Sequence, residues 1–220
     1  MGSTRSRAHR TIAVIALGLA LGPGTAMAVH QFGKVRPPRL TPVPLISQST
    51  PWTCGGAALM ATLVYFGVFD DAESRLDAEL GANPEAGTSV RQIVNVARRF
   101  GLRAEARTGL TFDDVRRELA RGAVVIAAVQ AWSSAQVRDW RSNWEDGHYV
   151  VIVGLTDDRV YLMDPSVRTG YAYLTRSQFI ERWHDYDIEG DHSVVWSRLG
   201  IIVSGTPRLA RYPAEPTPVE

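Results

Sequence analysis

The only cysteine of the chain, Cys54, sits in the segment Q-S-T-P-W-T-C-G-G-A-A-L, where turn residues give way to an apolar helical repeat. A sulfur at the first turn of a helix faces free backbone amide donors, which stabilise negative charge, and the thiolate is the nucleophilic form of the side chain. Gly55 and Gly56 are expected to leave room for a substrate backbone, and the amide near Cys54 can donate to a carbonyl oxygen under attack. Gln48, upstream on the incoming strand or turn, offers a side-chain donor to the same oxygen. Trp52 is placed to line a substrate groove or to hold the turn. A nucleophile needs a base, and the second half of the chain supplies one. His148 opens the run H-Y-V-V-I-V-G-L, T-D-D-R makes a turn, and V-Y-L-M-D returns with Asp164 before Pro165. In an antiparallel hairpin the start of one strand lies beside the end of the other, so register alone brings His148 and Asp164 together. The carboxylate would fix the tautomer of the ring and favour the imidazolium formed when the thiol gives up its proton. Gly147 would keep the approach to the ring open. These residue types in this arrangement point to thiol-mediated acyl transfer.

The elements that must hold these groups can be read from periodicity. Ala57, Leu59, Met60, Leu63, Val64 and Phe66 recur at helical spacing behind Cys54, and Gly67 supplies a stop. Further helices are predicted over 73–80, over 90–100 with Ser89 as cap, over 112–121 with Thr111 as cap, and over 177–183 with Thr175 as cap. Short runs rich in β-branched residues predict strands over 124–131, 148–155, 160–164, 171–174 and 194–203. Helices first and antiparallel strands afterwards indicate an α+β protein, with an N-terminal central helix packed on a C-terminal antiparallel sheet. The segment between Trp132 and Asp146, which also carries Trp140 and Trp144, is read as a local elaboration near His148.

The pattern Q-x5-C-G-x-A-x-L, followed by G-H-Y-V-V-I-V-G and a strand ending D-P, resembles the bacteriocin-processing, double-glycine leader cysteine peptidases (peptidase family C thirty-nine) and their stand-alone relatives. The resemblance covers roughly Val43 to Tyr173 and implies a papain-like fold. It implies the roles of oxyanion-hole donor for Gln48, nucleophile for Cys54, general base for His148 and orienting acid for Asp164. Bacteriocin exporters carry this domain ahead of membrane spans and an ATPase, whereas this sequence has no P-loop and no multispan region.

Length and composition bound the rest. The 220 residues suit one domain, expected over 40–205, behind a linker over 29–39 and ahead of a Pro-rich tail over 206–220. Arg5, Arg7 and Arg10 precede an apolar run from Ile12 to Leu21 and a small-x-small ending at Ala28, so residues 1–28 read as a signal peptide and the protein as exported, periplasmic or extracellular. The alternative is a retained N-terminal anchor, although Gly22-Pro23-Gly24 interrupts the run short of the ~20 apolar residues of a span. With a net charge of +1 and no basic stripe, nucleic acid is not an expected partner; a peptide or protein substrate is. The acidic stretch H-D-Y-D-I-E-G-D-H contains His184, Asp185, Asp187, Asp191 and His192 but lacks the ligand spacing of a calcium or zinc site, so neither a metal nor a cofactor is expected and the stretch reads as a solvated loop bordering the active-site face. Two other readings use the same residues: a papain-like transferase or isopeptidase, and a peptide-binding module without turnover.

Overall fold

The computed structural model describes residues 39–189 and 191–207, together with the backbone of Thr217–Pro218. The expected export segment and all of the linker but Arg39 lie outside the described residues, as does most of the tail.

Helix α1 (Cys54–Tyr65) is apolar on every side, and ten of its twelve residues are buried, as a helix without a polar face must be. It is followed by α2 (Glu73–Leu80), α3 (Val90–Arg99), β1 (Arg103–Arg107), α4 (Phe112–Ala120) and β2 (Val124–Gln130). Next come β3 (Gly147–Leu155), β4 (Arg159–Met163), β5 (Ala172–Thr175) and α5 (Arg176–Arg182). The chain continues through β6 (His184–Glu189), β7 (His192–Ser197), β8 (Gly200–Ser204) and β9 (Thr217–Pro218). Seven strands form one sheet in the order β1-β8-β2-β3-β4-β5-β9, antiparallel except where β9 joins β5, while β6 and β7 make a separate hairpin.

Residues along the strands alternate between two cores. Val124, Ile126, Ala128, Tyr149, Val151 and Met163 face α1, α2 and α3. Val125, Ala127, Val129, Val150, Ile152 and Leu162 face α4 and α5 with Phe179 and Trp183. The fold is α+β with an antiparallel sheet and the N-terminal helix packed on it, as expected, and helices cover the opposite face as well. Coverage on both faces explains why β2 reads as an unbroken apolar run rather than an alternating one.

The hairpin of β3 and β4 contains a bulge. Leu155 pairs with Val160 and Gly154 with Tyr161, but beyond Val153 the register shifts and Ile152 pairs with Leu162 and Val151 with Met163. The carbonyl of Val153 accepts instead from the Thr41 amide at 2.7 Å. Leu40 fills the place where a Cβ on Gly154 would stand, only 2.4 Å away. One extra residue in one strand changes which side chains share a face. Continued by one pair, the shifted register sets Asp164 opposite Val150, on the face that also carries His148. Without the bulge Asp164 would fall opposite Val151 and point to the other core.

Two expectations are corrected. The strand predicted over 194–203 is two strands: the backbone turns at Arg198, with φ of 51°, and passes from the hairpin into the main sheet. The acidic stretch expected as a solvated loop forms the whole of β6 and the first residue of β7. In the Pro-rich tail the backbone of Thr217–Pro218 adds a short parallel strand to β5. No helix among the described residues is long and apolar enough to cross a membrane.

Candidate active site

Cys54 is the first residue of α1 and is 8 % exposed. Helices α3, α4 and α5 each begin with a reciprocal capping box, built on Ser89, Thr111 and Thr175. Helix α1 has none. Its N-cap, Thr53, turns its hydroxyl back onto the preceding turn, where Oγ1 accepts from the Thr50 amide at 3.1 Å. The first amides of α1 are therefore not taken up by their own cap, and they are the donors that an anion at this helix end meets.

The His148 ring, buried, binds Asp164 through Nε2, with Nε2 to Oδ1 at 2.8 Å. Burial pushes the imidazole pKa down, but the charge of Asp164 and its hydrogen bond, followed by a hydrogen bond with Cys54 and the charge of Cys54, push it further up, to about 10. Cys54 and Asp164 thus act on the same ring from the two distant halves of the chain. The Asp164 carboxyl is raised by its own burial and lowered by more: by the charge and hydrogen bond of His148, the Ser166 amide and the Trp132 indole, so it lies below the ordinary carboxylate range. The Ser166 amide reaches Oδ1 at 2.8 Å and the Trp132 Nε1 reaches Oδ2 at 3.0 Å.

Gln48 is tied to the same turn. Its amide N donates to the Pro165 carbonyl at 3.1 Å, Ser166 Oγ donates to its Oε1 at 3.1 Å, and its Nε2 donates to the Thr50 carbonyl at 2.9 Å. A carboxamide nitrogen carries two hydrogens, so one of these contacts fixes the plane and leaves the second donor uncommitted.

A cleft of about 270 Å³ opens beside Cys54, lined among others by Trp52, Thr88, Trp144, Gly147 and Tyr149. Trp52 is therefore a wall of the cleft as well as part of the turn. Gly55 and Gly56 do not line it. Both are buried, and a Cβ on Gly55 would meet Thr88 at 2.9 Å and Tyr149 at 3.1 Å, while one on Gly56 would meet Asp77 at 2.4 Å. Protein occupies the room these glycines leave, which corrects the expectation that a substrate backbone uses it. Gly147 does line the cleft, but a Cβ there would meet the Asp185 carboxylate at 2.7 Å, so its missing side chain makes space for that acid.

Residues 40–189 match the model of the Peptidase_C39 like family. The chain belongs to that family. Among solved structures it is similar to a double-glycine motif protease from an AMS/PCAT transporter, crystallised in complex with the leader peptide, at 19 % identity and a TM-score of 0.52, covering 76 % of this chain and 94 % of that one. It is also similar to a C39-like peptidase from Bacillus anthracis at 16 % identity and a TM-score of 0.56, covering 78 % and 99 % respectively. At such identities the likeness establishes the papain-like fold. No curated protein matches the sequence significantly.

Several residues at this C39-like site escaped the sequence reading. Trp132 holds Asp164 from a backbone with φ of 62°, a conformation that costs a bulky residue about 1–3 kcal/mol and persists only where the surroundings enforce it. Gln130, fully buried at the end of β2, accepts from the Asp146 amide and donates to the His184 carbonyl and to Asp185, joining the 132–146 segment to β6. The Ser166 contact was legible, since an Asp two residues ahead of an amide commonly accepts from it in a turn. His184 spends Nε2 on the Asn143 carbonyl at 2.8 Å and packs on Trp144. Among the described residues no three His, Cys, Asp or Glu side chains gather as a metal site.

Proposed function

We propose that this C39-like protein is an exported cysteine peptidase that hydrolyses peptide bonds with Cys54, His148, Asp164 and Gln48. The single observation that carries the reading is the buried His148–Asp164 pair with Cys54 acting on the same ring at the uncapped start of α1. The sulfur attacks the carbonyl carbon, and the Cys54 amide and the free Gln48 hydrogen hold the oxyanion. The His148 imidazolium then gives its proton to the leaving nitrogen, the C–N bond breaks and a thioester remains. Water, losing a proton to the now neutral ring, attacks the thioester and releases the acid and the thiol. A leader peptide bound to the AMS/PCAT relative supports a peptide as the ligand class. The basic, apolar and small-residue order over 1–28 supports export.

Peptide mixtures incubated with the purified protein in H2(18)O test the reaction: hydrolysis places one heavy oxygen on each new C-terminus, whereas transfer to an added amine does not. In parallel, Cys54 should react with iodoacetamide at pH 6 faster than free cysteine. Labelling no faster than free cysteine, together with no cleaved peptide, overturns the reading in favour of a binding module. Gln48→Ala is expected to lower kcat about 10²–10³-fold with little change in KM, because the oxyanion exists only after attack. Steady-state kinetics on one cleaved peptide measure the split.

A further inference from the structure

The cleft beside Cys54 is acidic, and acyl transfer makes no use of that charge. Glu85, Glu145, Asp185 and Asp187 line it, and among the described residues no Lys or Arg does. Asp185 and Asp187 are alternate residues of β6, so both project from one face of that strand, towards the body of the protein, while Tyr186 and Ile188 are exposed on the other.

Asp185 is the better placed of the two. Its Oδ1 accepts from Gln130 Nε2 at 3.1 Å and from the Tyr186 amide at 2.9 Å, both neutral donors. Its Oδ2 stands beside Gly147, on the wall of the cleft. Among the described residues it makes no ion pair with an Arg, Lys or His side chain, and burial first, then the nearby charge of Asp187, raise its pKa to about 7 against its hydrogen bonds and the charge of His148. A carboxylate so enclosed is costly unless a cation joins it. Asp187 Oδ2 lies close by and accepts from the Val90 amide at 2.9 Å.

Thr88 lines the same cleft and is only 4 % exposed, with its Oγ1 enclosed beside Gly55. Trp52 and Trp144 add aromatic walls suited to a cation. The volume of about 270 Å³ falls below the roughly 300–1,000 Å³ of sites that enclose a whole small molecule, and it fits a side chain of a longer ligand.

We propose that Asp185, backed by Asp187, is the specificity subsite of this peptidase and takes the cationic side chain of a lysine or arginine close to the scissile bond of the substrate. The inference rests on the peptidase reading for its meaning, but it can fail separately. The probe is a set of alanine-based octapeptides with one arginine, or one citrulline in its place, moved along the chain; the two side chains differ in charge and hardly in shape. At one position arginine should raise kcat/KM about 10- to 100-fold over citrulline, the worth of a hydrogen bond to a charged group. Asp185→Asn, which keeps the acceptor for Gln130, should bring that ratio close to one. Equal cleavage of both peptides at every position by the wild-type protein overturns the subsite and leaves the peptidase reading intact. If no peptide is cleaved, fluorescence-monitored binding of the same peptides to Cys54→Ala decides: a 10-fold preference for arginine that Asp185→Asn removes upholds the subsite, and equal binding overturns it.

Discussion

Cys54→Ala is expected to lower peptide turnover by about 10⁴-fold or more, to a level set by binding and the oxyanion donors alone. The magnitude follows from the residue's being the only cysteine of the chain, so that no second thiol can stand in. It is buried at the first position of α1 against a well-filled core, and alanine there removes one sulfur from a helix that tolerates it well. A stability change of about 1 kcal/mol, read as a shift of a few degrees in the thermal midpoint by circular dichroism, should accompany the loss of activity. His148→Ala is expected to fall to the same floor, and the double variant no lower, because groups that act as a unit are not additive. Turnover surviving in Cys54→Ala would remove the thiol mechanism altogether and move the chemistry to another side chain.

Much of this architecture is written locally. Ser89, Thr111 and Thr175 each precede a helix and each forms a capping box in the structure, so those starts were legible from one residue type and its partner three positions on. The apolar runs of β2 and β3 announced the centre of the sheet. What escaped depends on contacts distant in sequence. Strand β1 reads R-A-E-A-R, with no β-branched residue; it is held at the sheet edge by pairing with β8, almost a hundred positions away. The hairpin of β6 and β7 carries acids that local composition assigns to solvent, yet Gln130 and the Val90 amide bind two of them. The glycines after Cys54 were read by their permissiveness towards a ligand, whereas the space they leave is filled by Thr88, Tyr149 and Asp77. The approach of Asp164 to His148 was expected from hairpin register, and the pair does form at 2.8 Å. The reason is less simple than a regular hairpin. The bulge at Val153, stabilised by the Thr41 amide, returns Asp164 to the correct face, and no turn or propensity signal in T-D-D-R reveals it.

Asp164→Asn is expected to cost about 10²–10⁴-fold in kcat/KM and to move the alkaline limit of activity. In the wild-type protein burial opposes a charged ring at His148, and Asp164 contributes the largest opposing effects, which take the pKa to about 10. The imidazolium that protonates the leaving nitrogen in the proposed mechanism therefore persists well into alkaline solution. With asparagine in place the charge of Asp164 is gone and only Cys54 still opposes burial, so the alkaline limb of kcat/KM should fall from near 10 towards the ordinary imidazole range around 6.5. Trp132→Phe removes one donor from the carboxylate and should shift the limb the same way by less. Stability must follow the same linkage. A ring whose folded pKa is raised contributes stability that is complete below its unfolded value and is lost as the pH rises from about 6.5 towards 10, while the lowered Asp164 contributes stability that is present above about 3.8 and lost as the pH falls through its folded value. Measured in a Cys54→Ala background, so that thiol ionisation does not intrude, the difference in thermal midpoint between proteins without and with Asp164→Asn should be greatest between about pH 4 and 6.5 and shrink on both sides. Asp77 and Asp185, raised to about 6 and about 7, also titrate in this range, but they are common to both proteins and largely cancel in the difference. A difference that stays constant from pH 4 to 10 would mean that the pair holds the fold without holding a charge on the ring, and the imidazolium would then have to be sought elsewhere.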